Sequence, residues 1–174
     1  MKNTFAKLSM AVALIAASFS VVAGTLEGAP FKISLPNNNW KLADSVAQEM
    51  GHNVSLVASI TKTNSPLKSV IIKTTLDGSP TSALDGLSAG IRDSFANPAV
   101  KKLSDEETAF LGYKARRFTY EVTQNNQTTY NEAIVFVAGN TGWTIAGVGL
   151  ADQKGEVKKI FTFYLPEERP LALF

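Results

Sequence analysis

The stretch that decides the fold is Tyr113–Leu150, YKARRFTYEVTQNNQTTYNEAIVFVAGNTGWTIAGVGL. It contains three runs with the two-residue period of a β-strand, Tyr113–Thr123, Thr128–Ala138 and Trp143–Leu150. Clusters of Asn, Gln, Gly and Thr separate the runs, and these residue types favour tight turns. The stretch therefore predicts a three-stranded antiparallel meander.

Both faces of this meander are predicted to be at least partly covered. In the second run, apolar residues occupy both sets of alternating positions: Tyr130, Ile134 and Phe136 on one side, and Ala133, Val135 and Val137 on the other. The first run places Phe118, Tyr120 and Val122 on one face. In the third run, Gly147 and Gly149 leave room for a closely packed neighbour.

Several further strands are predicted outside the meander. Alternating or β-branched patterns predict strands at Phe31–Leu35, Trp40–Ala43, Val54–Thr63 and Lys68–Leu76, the last two forming a hairpin. Asp44 and Gly51 suit the two ends of a short helix over Ser45–Met50. Val100–Leu111 carries an acidic run that fits either a helix turn or a hairpin, and we favour an edge strand followed by a turn at Gly112.

Two amphipathic helices are predicted from apolar residues at spacings of three and four. The first begins with Ser79 as cap and Pro80 as first helical residue, and Asn97-Pro98 stops it. Its apolar stripe consists of Leu84, Leu87, Ile91 and Phe95. The second follows Asp152, ends at Pro166, turns Lys154, Lys158 and Lys159 outward, and has a stripe of Val157, Ile160, Phe161 and Tyr164.

These elements predict an α+β fold in which helices flank an antiparallel sheet of about six or seven strands. Residues 31–166 would form a single domain, preceded by a flexible leader at 24–30. The tail at 167–174 carries Leu171, Leu173 and Phe174, and it either folds back onto the domain or stays free.

Residues 1–23 have the features of a secretory signal peptide. Lys2 and Lys7 precede an uncharged, largely apolar run at Leu8–Val22, and small residues allow cleavage after Ala23 or Gly24. The alternative is an uncleaved anchor, but the run is shorter than the roughly 20 residues that cross a bilayer. We therefore expect an exported protein, periplasmic or secreted, with no integral membrane span after cleavage.

Charge and cysteine content exclude several classes of function. The whole chain has a net charge of +2, but without Lys2 and Lys7 its 15 remaining basic residues balance its 15 acidic ones. A neutral domain has no global field to attract nucleic acid. The chain has no cysteine, so disulfides and a lipoprotein anchor are excluded, and burial of a core must hold the fold.

Candidate catalytic residues are few. His52, the only histidine, lies beside Gly51 and Asn53 and is interpreted as an exposed turn residue and not as a general base. Asp105, Glu106 and Glu107 could offer oxygen ligands to calcium, but their spacing fits no calcium loop and indicates a solvated turn. With no zinc-ligand cluster, phosphate loop or G-x-S-x-G elbow, we predict no enzyme, cofactor or metal site.

Surface residues offer candidates for partner contact. Basic residues cluster in the first strand of the meander and in the second helix. They are interpreted either as solvated surface charges or as a contact surface for an acidic partner or for anionic lipid headgroups. Adjacent Arg116 and Arg117 must point to opposite faces of a strand. Aromatic residues mostly predict a core, although a cavity for an apolar ligand between helix and sheet stays open as an alternative. The candidate contact residues are Lys114, Arg116, Arg117, Asn125, Asn126 and Asn140.

The chain resembles the PsbP-like family, which includes PsbP, Mog and DcrB-like proteins. Phe31–Pro36 followed by Trp40 resembles the family's opening F-x-I-x-x-P then W, and Leu111–Ala115 resembles its entry to the central meander. The resemblance implies an α/β/α sandwich and a binding or assembly role instead of catalysis. It transfers no functional residues, and the signal peptide favours the bacterial envelope branch. We expect a non-catalytic periplasmic protein with an unknown envelope partner, or alternatively a carrier of a small apolar or lipid ligand.

Overall fold

The structure is a computed structural model that describes residues 26–51, 53–76 and 80–167. In these residues seven antiparallel strands form one sheet in the order β2-β3-β4-β8-β7-β6-β5, and β1 and β9 pair separately. The strands are β1 Phe31–Ile33, β2 Trp40–Gly51, β3 Val54–Lys62, β4 Lys68–Thr75, β5 Val100–Phe110, β6 Tyr113–Gln124, β7 Gln127–Ala138, β8 Thr141–Leu150 and β9 Tyr164–Pro166. The helices are α1 Pro80–Ser94 and α2 Lys154–Ile160, the latter flanked by 3-10 turns at Ala151–Gln153 and Phe161–Phe163.

The predicted meander is confirmed as β6, β7 and β8. Its register pairs Phe118 with Ala133 and Ala133 with Ala146, so each strand reverses directly into the next. The first reversal uses Asn125 and Asn126, both at positive φ (51° and 60°), which asparagine tolerates better than most residues. The hairpin of β3 and β4 and the edge strand β5 are confirmed as well.

The sheet carries a hydrophobic core on each face, so both faces of the meander are covered as predicted. On one face, α1 contributes Leu87 and Ile91 to a core with Phe118 and Val135. We refer to this as the α1-side core. On the other face lies the α2-side core, which contains Phe31, Trp40, Tyr130, Ile134, Phe136, Trp143, Val157, Ile160, Phe161 and Tyr164. Helices on both faces of an antiparallel sheet make the α+β fold that the pattern predicts, arranged as the sandwich that the family resemblance implies.

Close packing of α2 on the sheet depends on glycine in β8. A Cβ atom at Gly149 would lie 2.7 Å from Cδ2 of Leu67 and 2.9 Å from Cγ2 of Val157, and one at Gly147 would lie 3.1 Å from Cγ1 of Val157. Real Cβ atoms essentially never approach closer than 3.0 Å, so at Gly149 a larger residue would force its neighbours to shift, and at Gly147 the contact would be unusually tight. The predicted packing role of these glycines is confirmed.

The short helix predicted at Ser45–Met50 is wrong. These residues belong to β2, in which Gln48 pairs with Leu56 and Glu49 with Ser55 after a register irregularity beyond Asp44. A helix of six residues would gain little from its own hydrogen bonds, whereas extension of β2 provides partners for Val54, Ser55 and Leu56 of β3.

The second predicted helix is shorter than its apolar spacing indicates. Tyr164 lies in β9 and not on the helix, and β9 pairs with β1 through Ile33 and Tyr164. This pairing buries Tyr164 to 3% exposure and places its hydroxyl 3.0 Å from Oγ of Ser69. Tertiary pairing therefore ends the helical segment before Pro166 does. The predicted strand at Phe31–Leu35 is correspondingly limited to Phe31–Ile33.

The ends of the described chain lie against the fold. Leu26, in the segment for which a flexible leader is predicted, packs against the α2-side core, and Ala29 is buried. The backbone N–H of Glu167 donates to the carbonyl oxygen of Pro30 at 3.2 Å. The predicted signal peptide, His52, the cap at Ser79 and the tail beyond Glu167 lie outside the described residues.

Candidate functional site at one end of the sheet

A cavity of about 290 Å³ opens at the end of the sheet that carries the β6–β7 turn. We call it the sheet-end pocket. It lies on the α1 side, because its residues Asn131 and Val148 are register partners and Val148 belongs to the α1-side core. It is lined by Pro66, Lys68, Val122, Gln124, Asn125, Gln127, Thr129, Asn131, Val148, Gly149 and Leu150.

The pocket exists because α1 covers the other part of this face. A Cβ atom at Gly142, at the start of β8, would meet the side chain of Leu87, so α1 lies over that end. Phe95, just after α1, packs against Phe118 and Tyr120 with ring centroids 6.1 and 5.7 Å away. No described residue of α1 lines the pocket.

Lys68 is the only charged residue among the described residues that line the pocket. It is the first residue of β4 and its side chain is partly buried. Burial lowers the pKa of Lys68, and no carboxylate among the described residues counteracts this shift. A desolvated ammonium without a counterion favours an approaching negative charge.

Asn131 forms the polar part of the pocket floor. It is 6% exposed, and its Nδ2 donates to the carbonyl oxygen of Thr129 at 3.2 Å and to Oγ1 of Thr129 at 3.0 Å. These bonds fix the amide in one orientation. Gln124, Asn125 and Gln127 add exposed amides at the rim. The pocket thus combines several neutral donors and acceptors with one cation.

The predicted contact residues are not brought together. Asn125 lines the sheet-end pocket, and Asn126 follows it in the same exposed turn. Asn140 lies in the β7–β8 turn at the opposite end of the sheet. Whether any of these residues contacts a partner stays a prediction.

The basic residues Lys114 and Arg116 are engaged in ion pairs. Nε of Arg116 bonds to Oδ1 of Asp105, and Nε of Arg92 on α1 lies 2.8 Å from Oδ2 of the same carboxylate. Lys114 and Arg116 also lie within 3.9 and 3.7 Å of Glu107. The ion pairs of Asp105 with Arg92 and Arg116 connect α1 to the edge strands, a structural task, whereas the contact between Lys114 and Glu107 is exposed at the surface.

Asp105 lies in strand β5 and not in the solvated turn predicted for the acidic run. Burial alone would raise the pKa of Asp105, but hydrogen bonds and charge from Arg92 and Arg116 outweigh burial and lower it. The carboxylate is therefore ionised at neutral pH and holds the two arginines. Among the described residues no group of three or more His, Cys, Asp or Glu side chains could hold a metal ion.

Arg117 points to the other face of β6, as predicted for adjacent strand residues. Its Nε lies 3.3 Å from Oε1 of Glu132, a contact whose geometry does not qualify as a hydrogen bond. Oε2 of Glu132 accepts from the Tyr130 hydroxyl at 3.2 Å. Burial and the carboxylate raise the pKa of Tyr130 to about 12. Glu132 is only 2% exposed, so Arg117 serves to neutralise a buried charge.

The alternative of an apolar cavity between helix and sheet is not favoured at α2. The side chains of Leu67 and Val157 already occupy the space above Gly149, where an added methyl group would collide with both of them. Lys158 and Lys159 are exposed as predicted, and Nζ of Lys159 pairs with Oε1 of Glu156 at 3.1 Å.

Sequence reasoning missed Lys68 and Asn131. One signal was available for Asn131, because it occupies the same alternating set as Ala133, Val135 and Val137 in β7. A single amide in such a set marks a buried polar position that needs partners. Lys68 offered no comparable signal, since a lysine at the start of a strand is most often solvated.

Comparisons with known proteins identify the fold. No family model matches the chain, and no curated protein matches it. Among solved structures, cyanobacterial PsbP (CyanoP) from Synechocystis sp. PCC 6803 is similar with a TM-score of 0.59 and 12% identity over 88% of this chain and 99% of that one. The chain has a PsbP-like fold.

A second structure with this fold is LpqN of Mycobacterium tuberculosis, described as involved in cell envelope biogenesis. It is similar with a TM-score of 0.54 and 16% identity over 80% of this chain and 88% of that one. Identities this low establish the PsbP-like fold and nothing about chemistry. Within the part of the chain that is described, no helix is both long and apolar enough to cross a bilayer.

Proposed function

We propose that this chain is an exported, non-catalytic binding or assembly protein of the bacterial envelope. The observation that carries the proposal is the sheet-end pocket, a concave surface with four side-chain amides and one lysine on a meander held by cores on both faces. Rigid strands with polar side chains at one end suit recognition, because little ordering is required when a partner binds.

Two further observations support this function. The amino-terminal residues have the pattern of a signal peptide, which favours a mature protein outside the cytoplasm. A protein of the same fold, LpqN, is described as involved in cell envelope biogenesis. The analogy rests on the fold alone, and folds host many functions.

Export is tested by fractionation of a bacterial host that expresses the full-length chain. We expect the protein in the periplasmic fraction, with an amino terminus at Gly24 or Thr25 by mass spectrometry. Recovery of the uncleaved chain, with Lys2 and Lys7 still present, from the cytoplasmic fraction would contradict export.

The binding end is tested by site-specific photo-crosslinking in living cells. A photoreactive phenylalanine analogue placed at Asn125 should give an adduct with one envelope protein. The same analogue at Asn140 is the matched control, because Asn140 is also exposed in a tight turn, at the opposite end of the sheet. Equal adducts from both positions, or adducts from Asn140 alone, would contradict the assignment of the binding end.

The alternative function, transport of an apolar or lipid ligand, has no comparable support. The lining of the sheet-end pocket includes Lys68 and buried Asn131, and the space between α2 and β8 is occupied at Gly149. An apolar ligand in the pocket would leave both polar groups without partners, which costs free energy.

A further inference from the structure

The sheet-end pocket is chemically asymmetric in a way that selects a ligand. Its described lining contains one cation, Lys68, and no carboxylate. Its polar groups are four side-chain amides and the hydroxyl of Thr129. Nδ2 of Asn131 already donates twice to Thr129, which leaves Oδ1 as its acceptor, and the Thr129 hydroxyl also donates to the carbonyl oxygen of Val122. Its apolar groups, Val122, Val148 and Leu150, lie along the sheet surface. Each of these three features sets a requirement for the molecule that would fill it.

The cation requires an anionic group on the ligand. Lys68 is partly desolvated by the protein, so an anion placed beside it would recover interaction energy that water no longer supplies. One ammonium balances one negative charge. A phosphate carries nearly two charges and is usually held by several donors, often arginine, and no arginine is found among the described residues of this lining. A carboxylate fits better.

The amides require hydroxyl groups on the rest of the ligand. Asn131 is held in place by Thr129, and the rim amides of Gln124 and Gln127 lie on the strands on either side of the turn. The rim amides can donate and accept, and the free Oδ1 of Asn131 can accept, so both match ligand hydroxyls, which do either. The cavity of about 290 Å³ lies at the low end of the usual range for ligand sites, so the molecule is small.

We propose that the sheet-end pocket binds a small hydroxylated carboxylate, of the size and chemistry of a sugar acid, with the carboxylate on Lys68 and the hydroxyls on the amides of Asn131, Gln124 and Gln127. The inference rests on the proposed binding role of this end of the sheet. The ligand then either regulates the contact with an envelope partner or is the moiety of that partner that the pocket recognises.

Calorimetric titration with D-glucuronate, and with D-glucose as the neutral analogue, tests the charge requirement at a fixed ionic strength of about 0.1 M. We expect glucuronate to bind at least about tenfold more tightly than glucose, the effect of one charge-assisted hydrogen bond. Equal affinities, or no binding of glucuronate, would overturn the proposal.

Variants of two lysines in β4 test whether the preference for glucuronate over glucose comes from Lys68. Lys68→Met should reduce the affinity for glucuronate to that for glucose, whereas Lys68→Arg should retain it. Lys73→Met is the matched control, because Lys73 lies on the same strand but outside the pocket lining. A loss of affinity in Lys73→Met as large as that in Lys68→Met would overturn the assignment of the site.

The wild-type protein offers a readout that needs no variant. In a two-dimensional NMR titration with glucuronate, the side-chain amide signals of Asn131 and Gln124 should shift and that of Asn140 should not. Shifts confined to Asn140 would overturn the proposal. Absence of glucuronate binding together with a cross-linked partner at Asn125 would reject this ligand class while leaving the proposed function intact.

Discussion

At the scale of single residues, Gly149 limits how the sheet packs. An added Cβ there would approach Leu67 at 2.7 Å and Val157 at 2.9 Å, and both side chains are almost fully buried. Because neither can move aside freely, Gly149→Ala should lower the free energy of unfolding by about 1–3 kcal/mol. Urea denaturation measures this change.

Gly155 provides the control for this prediction. It lies in α2 with no described atom within 4 Å of an added Cβ, so Gly155→Ala should stabilise the protein by about 0.5–1 kcal/mol through helix propensity. A higher free energy of unfolding in Gly149→Ala than in the wild type would show that α2 does not pack closely on β8.

Asp105 is the residue through which acid should destabilise the connection between α1 and β5. Its pKa is lowered, so the stability that it contributes is present above its unfolded pKa of about 3.9 and is lost as pH falls through the folded value. Asp105→Asn should cost about 1.5–3 kcal/mol at neutral pH. The variant should also lose less stability than the wild type between neutral pH and acid. Chemical denaturation at several pH values measures both effects.

Glu106→Gln is the control for Asp105→Asn, because Glu106 is the exposed neighbour on the same strand. We expect a change within about 0.5 kcal/mol. If the free energies of unfolding of the wild type and Asp105→Asn changed in parallel with pH, this would argue against the ion pairs of Asp105 with Arg92 and Arg116.

The titration of Lys68 determines how the affinity of the proposed ligand site changes with pH. Its register partners on the flanking strands, Thr61 and Val148, are uncharged, and the described lining of the pocket holds no other titratable group. Burial lowers the pKa of Lys68, so the affinity for glucuronate should fall as pH rises toward that lowered value. Lys68→Arg should bind with nearly constant affinity over the same range, since arginine stays protonated. Titrations between neutral and alkaline pH distinguish the two.

At the scale of elements, the pairing of β1 with β9 closes the α2-side core. Phe31 is 1% exposed, and its ring centroid lies 5.3 Å from that of Trp143 and 5.5 Å from that of Tyr164. Phe31→Ala should therefore lower the free energy of unfolding by about 3–5 kcal/mol. Lys32→Ala, exposed on the same strand, should change it little. Similar effects of both substitutions, measured by urea denaturation, would show that β1 is not anchored.

The elements also show which parts of the fold the sequence could predict. The meander, the β3–β4 hairpin and α1 were predictable because their periodicity is long and their boundaries carry turn residues or proline. The extension of β2 through Gln48 was not, because it depends on pairing with Val54, Ser55 and Leu56 at the start of β3. The strand at Tyr164 could not be predicted for the same reason. The spacing of Tyr164 from Val157 fits a helix, and Tyr164 is extended because it pairs with Ile33 on β1.

At the scale of the whole molecule, the site was harder to predict than the fold. Asn125 was a candidate because turns carry function, and it lines the pocket. Lys68 joins it from β4, more than fifty residues earlier in the chain, and nothing local marks that proximity. Arg116 was also a candidate, but its carboxylate partners on β5 became visible only once the strands were paired.

The two cores share one sheet, so the molecule should unfold as one cooperative unit. Both tryptophans, Trp40 and Trp143, belong to the α2-side core, whereas Ile91 on α1 belongs to the other. Ile91→Ala should cost about 2–5 kcal/mol. It should lower the urea midpoint of tryptophan fluorescence and that of far-UV circular dichroism by the same amount, although Ile91 lies across the sheet from both indoles. Val157→Ala, in the α2-side core, is the matched variant and should shift both signals together as well. If Ile91→Ala moved the circular dichroism transition while leaving the fluorescence transition in place, the two faces of the sheet would be separate folding units.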